Sequence, residues 1–209
     1  QTAQYWSSNQ YSNESRYQYR ETTANSAWAA MYAGPLQDLQ TIIDLNSGDA
    51  AADYAGYGDN GNQIAVAKIL QAWTFQHLTD AFGDIPMSAA LKGGDDTAPS
   101  YDSQADVYAG LLTLLNEAMA SMTNGSGPQG DQVYGGNMDQ WMKFANSLKL
   151  RVAMRMADVN GAAAQAAAEA ALGSGTIIAG NEDNALFNYL AGAPNNNPIN
   201  EDAKTRNDF

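Results

Sequence analysis

Between Gln63 and Phe82 the chain carries apolar residues around nearly the whole circumference of a helix-length segment, which limits its folds more than any other feature. Ile64, Val66, Ile69, Leu70, Trp73, Phe75, Leu78 and Phe82 leave almost no polar face. A surface helix shows one apolar stripe, whereas a helix apolar all round has to be covered on several sides. Gly83-Asp-Ile-Pro86 then ends it sharply, because glycine accepts the left-handed conformation and proline cannot continue the helix. The rest of the chain must supply the covering partners.

Candidate partners lie on both sides. From Asn25 to Leu45, Trp28, Met31, Tyr32, Leu36, Leu39, Ile42 and Ile43 recur at intervals of three and four and form one apolar face. Gly34-Pro35 falls inside that helix and predicts a kink or restart. Asn46-Ser-Gly48 supplies a stop, followed by a Gly-, Asp- and Tyr-rich loop over 48–62. After a second loop over 87–102, Ser103 is placed to cap a helix with Asp106 three residues on. Tyr108, Leu111, Leu115, Ala118 and Met122 make its stripe. Gly125 to Gly130 reads as a flexible connector. The next helix, Met138 to Val159, carries Trp141, Ala145, Leu148, Val152, Met156 and Val159 on one face. An Ala-rich helix from Ala162 to Leu172 closes at Gly173-Ser-Gly175, and the chain beyond reads as loop. Only Thr176–Ile178 hints at a strand. Residues 1–20 are polar and aromatic, with room for one short helix near their end. The class is all-α. Antiparallel hairpins would bury these stripes as a bundle or as a solenoid, and no fixed repeat period chooses between them.

The chemistry is limited by what is missing. The 209 residues suffice for a core, and 44% are hydrophobic. A net charge of −13 repels phosphate backbones and anionic lipid headgroups, which argues against nucleic acid and direct membrane binding. With no cysteine there is no disulfide, thiolate metal site or thiol catalysis. No run of about 18 apolar residues occurs. The chain has no initiator Met or signal segment, so Gln1 reads as a processed or truncated end, and Phe209 does not read as a natural stop. His77, the only histidine, lies in the most apolar helix and is expected in the core, as are Trp28, Trp73 and Trp141. No G-x-S-x-G elbow accompanies it to supply a nucleophile. Asp80/Asp84, Asp95/Asp96 and Glu182/Asp183 are the available acid pairs, and they read as solvated. No calcium-loop pattern is present. Lys143, Lys149, Arg151 and Arg155 share one helix and are expected to form ion pairs between packed helices. Catalytic residues, cofactors and metals are therefore not expected.

Aromatic residues are the stronger signal. The chain has 11 Tyr and 4 Trp, about half of them in polar, loop-like surroundings. Flat rings flanked by amides and carboxylates suit sugars, since the ring covers C–H faces while polar groups bond hydroxyls. Tyr54 and Tyr57, between two Gly-rich turns, are the preferred exposed pair and candidate ligand-binding residues.

Two segments carry a family resemblance. Ala72 to Pro86 (AWTFQHLTDAFGDIP) resembles the helix and "fGdiP" signature of SusD/RagB nutrient-binding lipoproteins, and Trp141 to Arg155 (WMKFANSLKLRVAMR) resembles the family's "W-x-K-f-a-N-s-L-k-l-R" helix. Their order, with Pro99-Ser-Tyr-Asp102 and the Tyr108–Leu115 helix between them, fits too. The resemblance implies a non-catalytic scaffold of tetratricopeptide-like hairpins with long Gly/Asn/Tyr-rich loops. It also implies a lipid anchor on the outer face of a bacterial outer membrane, not present in this stretch. The implied role is to capture glycan or peptide and pass it to a TonB-dependent, SusC-like barrel. Residues 1–209 would then be one incomplete SusD-like domain. The alternative is a helical scaffold that binds the transporter and no ligand of its own. Gly83, Pro86, Trp141 and Asn146 read as fold-determining, and the resemblance transfers no binding residue.

Overall fold

A computed structural model describes residues 12–18, 21–193 and 195–205. Among these residues eight α-helices run in order: α1 (Glu21–Met31), α2 (Gln37–Ser47), α3 (Ala51–Tyr54), α4 (Asn60–Phe82), α5 (Gln104–Ser121), α6 (Met138–Met156), α7 (Gly161–Gly173) and α8 (Pro198–Thr205). Among the described residues no strand forms, and only isolated bridges join Ile85 to Asp102 and Leu190 to Asn196. The Thr176–Ile178 hint therefore fails. Its amides are taken by side chains instead, Thr176 N donating to Ser174 Oγ and Ile178 N to Ser147 Oγ.

The chain divides into two compact units, Ala29–Leu186 and a second made of Gln1–Trp28 with Phe187–Phe209. In the second unit the turn Glu14–Arg16 answers the expectation of a short helix, and α8 forms where only loop was expected. Tyr5, Trp6, Tyr11 and Tyr19 lie outside the described residues. Trp28 is half-buried.

In the larger unit α4 is central, packing on α2, α5 and α6, while α7 packs on α6. Side-chain bonds give the directions. Asn46 near the end of α2 meets Asn60 and Gln63 at the start of α4, and Gln40 meets Gln71, so α2 and α4 run antiparallel. Asn62 bonds just beyond the end of α5, and Gln104 at its start donates to Thr79 O, so α4 and α5 are antiparallel as well. These are tetratricopeptide-like hairpins in an all-α architecture.

Burial follows the apolar pattern. Leu36, Ile69, Leu111, Leu115 and Val152 are fully buried, and each large aliphatic side chain so placed contributes about 1.5–3 kcal/mol. The polar residues that α4 buries are all bonded. Gln71 donates to Gln40, Thr74 to Leu70 O and Thr79 to Gly83 O, while Gln76 accepts from Arg151.

One strip of α4 departs from expectation. Trp73 is 37% exposed, and its ring meets that of His77, itself exposed, at 4.2 Å between centroids. Asp80 continues the strip at helical spacing. Neither Trp73 nor His77 is a core residue, because three packed neighbours still leave this row uncovered.

Gly34 (φ −103, ψ −107) and Pro35 interrupt the first long helix in a π-turn over Tyr32–Leu36, where the kink was expected. Loop 48–62 proves partly helical: α3 and a 3-10 turn over Ala55–Tyr57 fill it, and α4 starts at Asn60 behind an Asp59 cap. Ser103 caps α5 as expected, accepting from Asp106 N. The signature positions hold joints. Gly83 adopts φ +76, and Pro86 O accepts from Tyr32 Oη at 2.6 Å. Trp141 is 1% exposed and donates Nε1 to Asp131 at 2.7 Å, and Asn146 donates to Thr176 Oγ1.

Candidate functional site

The segment carrying Tyr54 and Tyr57 is held by side chains from α4. Gln63 Nε2 donates to the carbonyls of Tyr54 (3.0 Å) and Gly58 (2.8 Å), and Asn60 Nδ2 to Ala51 O (2.9 Å). Asp59 accepts from the amides of Gly61 and Asn62, which fastens the first turn of α4. Asn62, fully buried, accepts from Thr123 N and donates to the carbonyls of Gly125 and Ser126. Gln129 completes the join, its N donating to Tyr57 O at 2.7 Å and its Nε2 to Gly56 O at 3.0 Å.

Gly125 to Gly130 is therefore no flexible connector. A Cβ on Gly58 (φ +132) would lie 2.6 Å from Gly127 O, and one on Gly127 would overlap the backbone of Gly136. Glycine is required here because three backbones touch. Of the glycines read as flexibility in the sequence, Gly125 and Gly127 serve close packing.

Tyr54 and Tyr57 end up side by side on this shelf, ring centroids 6.4 Å apart and tilted by 40°. Tyr57 is 58% exposed and Tyr54 half-buried. The pair forms a small aromatic face on an immobilised segment, a suitable surface for the C–H face of a sugar ring.

The opposite end of α4 borders a cavity of about 570 Å³ lined by Asp80, Asp84, Gln104, Tyr108, Arg155 and Asn160, among others. Tyr108 Oη donates to Asp80 Oδ1, and Arg155 Nη1 lies 3.4 Å from Asp80 Oδ2. Burial, reinforced by Asp80, pushes the Tyr108 phenol up to about 12. Burial followed by the neighbouring Arg155 charge lowers the pKa of Arg151. Asp80 is thus paired, not merely solvated. Nothing in the spacing of these residues pointed to a cavity, since three helices contribute its walls. The one available signal was the acid pair Asp80/Asp84.

The remaining candidates are structural. Asp183 was read as solvated, yet it is 2% exposed and accepts from Lys143 Nζ at 2.6 Å. That bond, with the Ala179 amide, lowers its pKa against the effect of burial. Asp95 is exposed in a short turn, and Asp96 accepts from Ala98 N. Of the four cations on α6, Lys143 and Arg155 find carboxylates, while Lys149 and Arg151 bond the neutral amides of Asn116 and Gln76. Among the described residues no cluster of three His, Cys, Asp or Glu could hold a metal, and no helix is long and apolar enough to cross a membrane.

Comparison with known proteins matches residues 1–209 to the SusD-like family described as "starch-binding associating with outer membrane". Among solved structures, a chitin-binding protein is similar at 32% identity with a TM-score of 0.73, over 88% of this chain and 38% of its own. A SusD homologue from Bacteroides uniformis is 33% identical with a TM-score of 0.65, over 77% of this chain and 32% of its own. A chitin-binding SusD homologue from Flavobacterium johnsoniae is 29% identical with a TM-score of 0.62, over 75% and 32%. The chain thus spans about a third of the length of these structures. No curated protein matches it.

Proposed function

The chain belongs to the SusD-like family of starch-binding proteins that associate with the outer membrane, and on that premise we propose that it forms part of a surface nutrient-binding subunit whose ligand is a glycan. The observation that carries this reading is the Tyr54/Tyr57 face. Two rings stand together on a segment whose backbone is bonded to α4 and to the 125–130 stretch, so little entropy is lost when a ligand settles on them. Glycan is preferred over peptide because two of the similar solved structures bind chitin. The role is binding without turnover, and delivery of the ligand to a TonB-dependent outer-membrane transporter completes the proposal.

Calorimetry of the intact protein against chitin and starch oligosaccharides tests it, with Tyr57→Ala alongside. Weakened binding with an unchanged melting temperature supports the assignment. Equal affinity in the variant removes the pair from the site, and heat with peptides alone reverses the ligand class.

A further inference from the structure

We propose that the cavity where the C-terminal ends of α4 and α6 meet the N-terminal end of α5 is a second carbohydrate subsite, taking one or two neutral sugar units against Arg155, Asp84 and Asn160. The proposal shares only its ligand class with the reading above. Its residues differ, and it lies at the other end of α4, about 33 Å away at 1.5 Å per residue.

At about 570 Å³ the cavity falls in the roughly 300–1,000 Å³ range of small-molecule sites. Its lining mixes chemistry as a sugar does. Tyr108 and Met156, both nearly buried, and Val159 at the rim offer apolar surface to C–H groups. Arg155 has five N–H donors, and its pairing with Asp80 leaves donors to spare. Asp84 accepts Gln104 N on Oδ1, and a carboxylate has further acceptor sites. Asn160 accepts Ala163 N through Oδ1 and keeps its amide N–H groups as donors. Spare donors and acceptors around one space match neighbouring hydroxyls, each of which both donates and accepts.

Charged ligands fit less well. Asp80 and Asp84 together outnumber Arg155, which opposes an anion. A cation would find Asp80 already held by Arg155 and Tyr108, leaving Asp84 alone, and no metal-holding cluster gathers among the described residues. The raised Tyr108 pKa keeps that phenol a donor at neutral pH, so Asp80 stays an acceptor occupied from within.

Val159, 85% exposed, allows the cavity to be filled without touching the core. Titrations would use the intact protein, as wild type, Tyr57→Ala, Val159→Trp, Asp84→Asn and the Tyr57→Ala/Val159→Trp double variant. The probes are diacetylchitobiose and maltose, with glucuronate and inorganic phosphate as anionic comparisons. Residual disaccharide binding is expected in Tyr57→Ala, weakened at least 10-fold by adding Val159→Trp, with a smaller loss in Asp84→Asn. The subsite is overturned if Tyr57→Ala alone silences all binding, a result that leaves the tyrosine site standing. It is also overturned if Val159→Trp and Asp84→Asn both change nothing, or if either anion binds the cavity more tightly than both disaccharides. Loss of all binding in Val159→Trp alone would reject the tyrosine face and keep the subsite. No binding by wild type rejects both.

Discussion

At the N-terminal end of α4, Asn60, Asn62 and Gln63 bond mainly to the backbone of neighbouring segments, whereas at its C-terminal end Asp80, Asp84 and Arg155 surround an open space. The residue types overlap and the outcomes differ. Side chains committed to backbone fix the position of a segment, so the N-terminal end presents to water what they leave over, namely two tyrosine rings. At the C-terminal end Asp80 is held by Tyr108 and Arg155, while Asp84 and Arg155 keep spare bonding capacity and are the recognition elements of the proposed subsite. Rigidity and polar recognition are therefore divided between the two ends of one buried helix.

Breaking the rigid end should have the largest effect. Gly127→Ala drives a methyl into the Gly136 backbone, and a loss of about 3 kcal/mol is expected in chemical denaturation. A loss below about 1 kcal/mol would mean the seam can yield. Asn62→Ala follows, since it removes a fully buried side chain and unpairs the part-buried Thr123 amide and two carbonyls; about 2 kcal/mol is expected by the same measurement.

The Lys143–Asp183 pair, outside both ends, tests whether committed polar groups behave alike elsewhere. The folded pKa of Asp183 is depressed, so its stabilisation is present above the unfolded value and is lost as pH falls through the folded one. Lys143→Met removes the largest cause of that depression and should move the acid-unfolding midpoint to higher pH, followed by circular dichroism. An unmoved midpoint would assign acid sensitivity to other carboxylates.

Smaller effects sharpen the contrast in function. Tyr57→Ala should weaken glycan binding about 10-fold, near 1.4 kcal/mol, while stability stays within about 0.5 kcal/mol. Arg155→Gln removes a half-exposed ion pair and should cost less than about 1 kcal/mol of stability. If Arg155→Gln proved as destabilising as Asn62→Ala, the two ends would not differ in the way described.

Much of this fold was legible because periodicity reports burial directly. The all-apolar segment became the central helix, Trp141 went to the core, Ser103 capped α5, and Gly34-Pro35 broke the first long helix. The chain beyond residue 175 was less legible: α8 has eight residues, too few for a periodic pattern to stand out. Of the candidate site, Tyr54 and Tyr57 could be proposed from composition, but their adjacency could not, nor the seam that holds them.

Local order along the chain determined which segments are helices, where they stop and which faces are apolar, because those properties depend on neighbours within a few residues. Tertiary structure alone decided that Trp73 and His77 face outward, that Gly127 packs backbone on backbone against Gly58 and Gly136, and that Asp183 is buried against Lys143. It also brought Asp80, Tyr108 and Arg155 together around a cavity. Each of these depends on which helix covers which, a relation between residues tens of positions apart that no local pattern encodes.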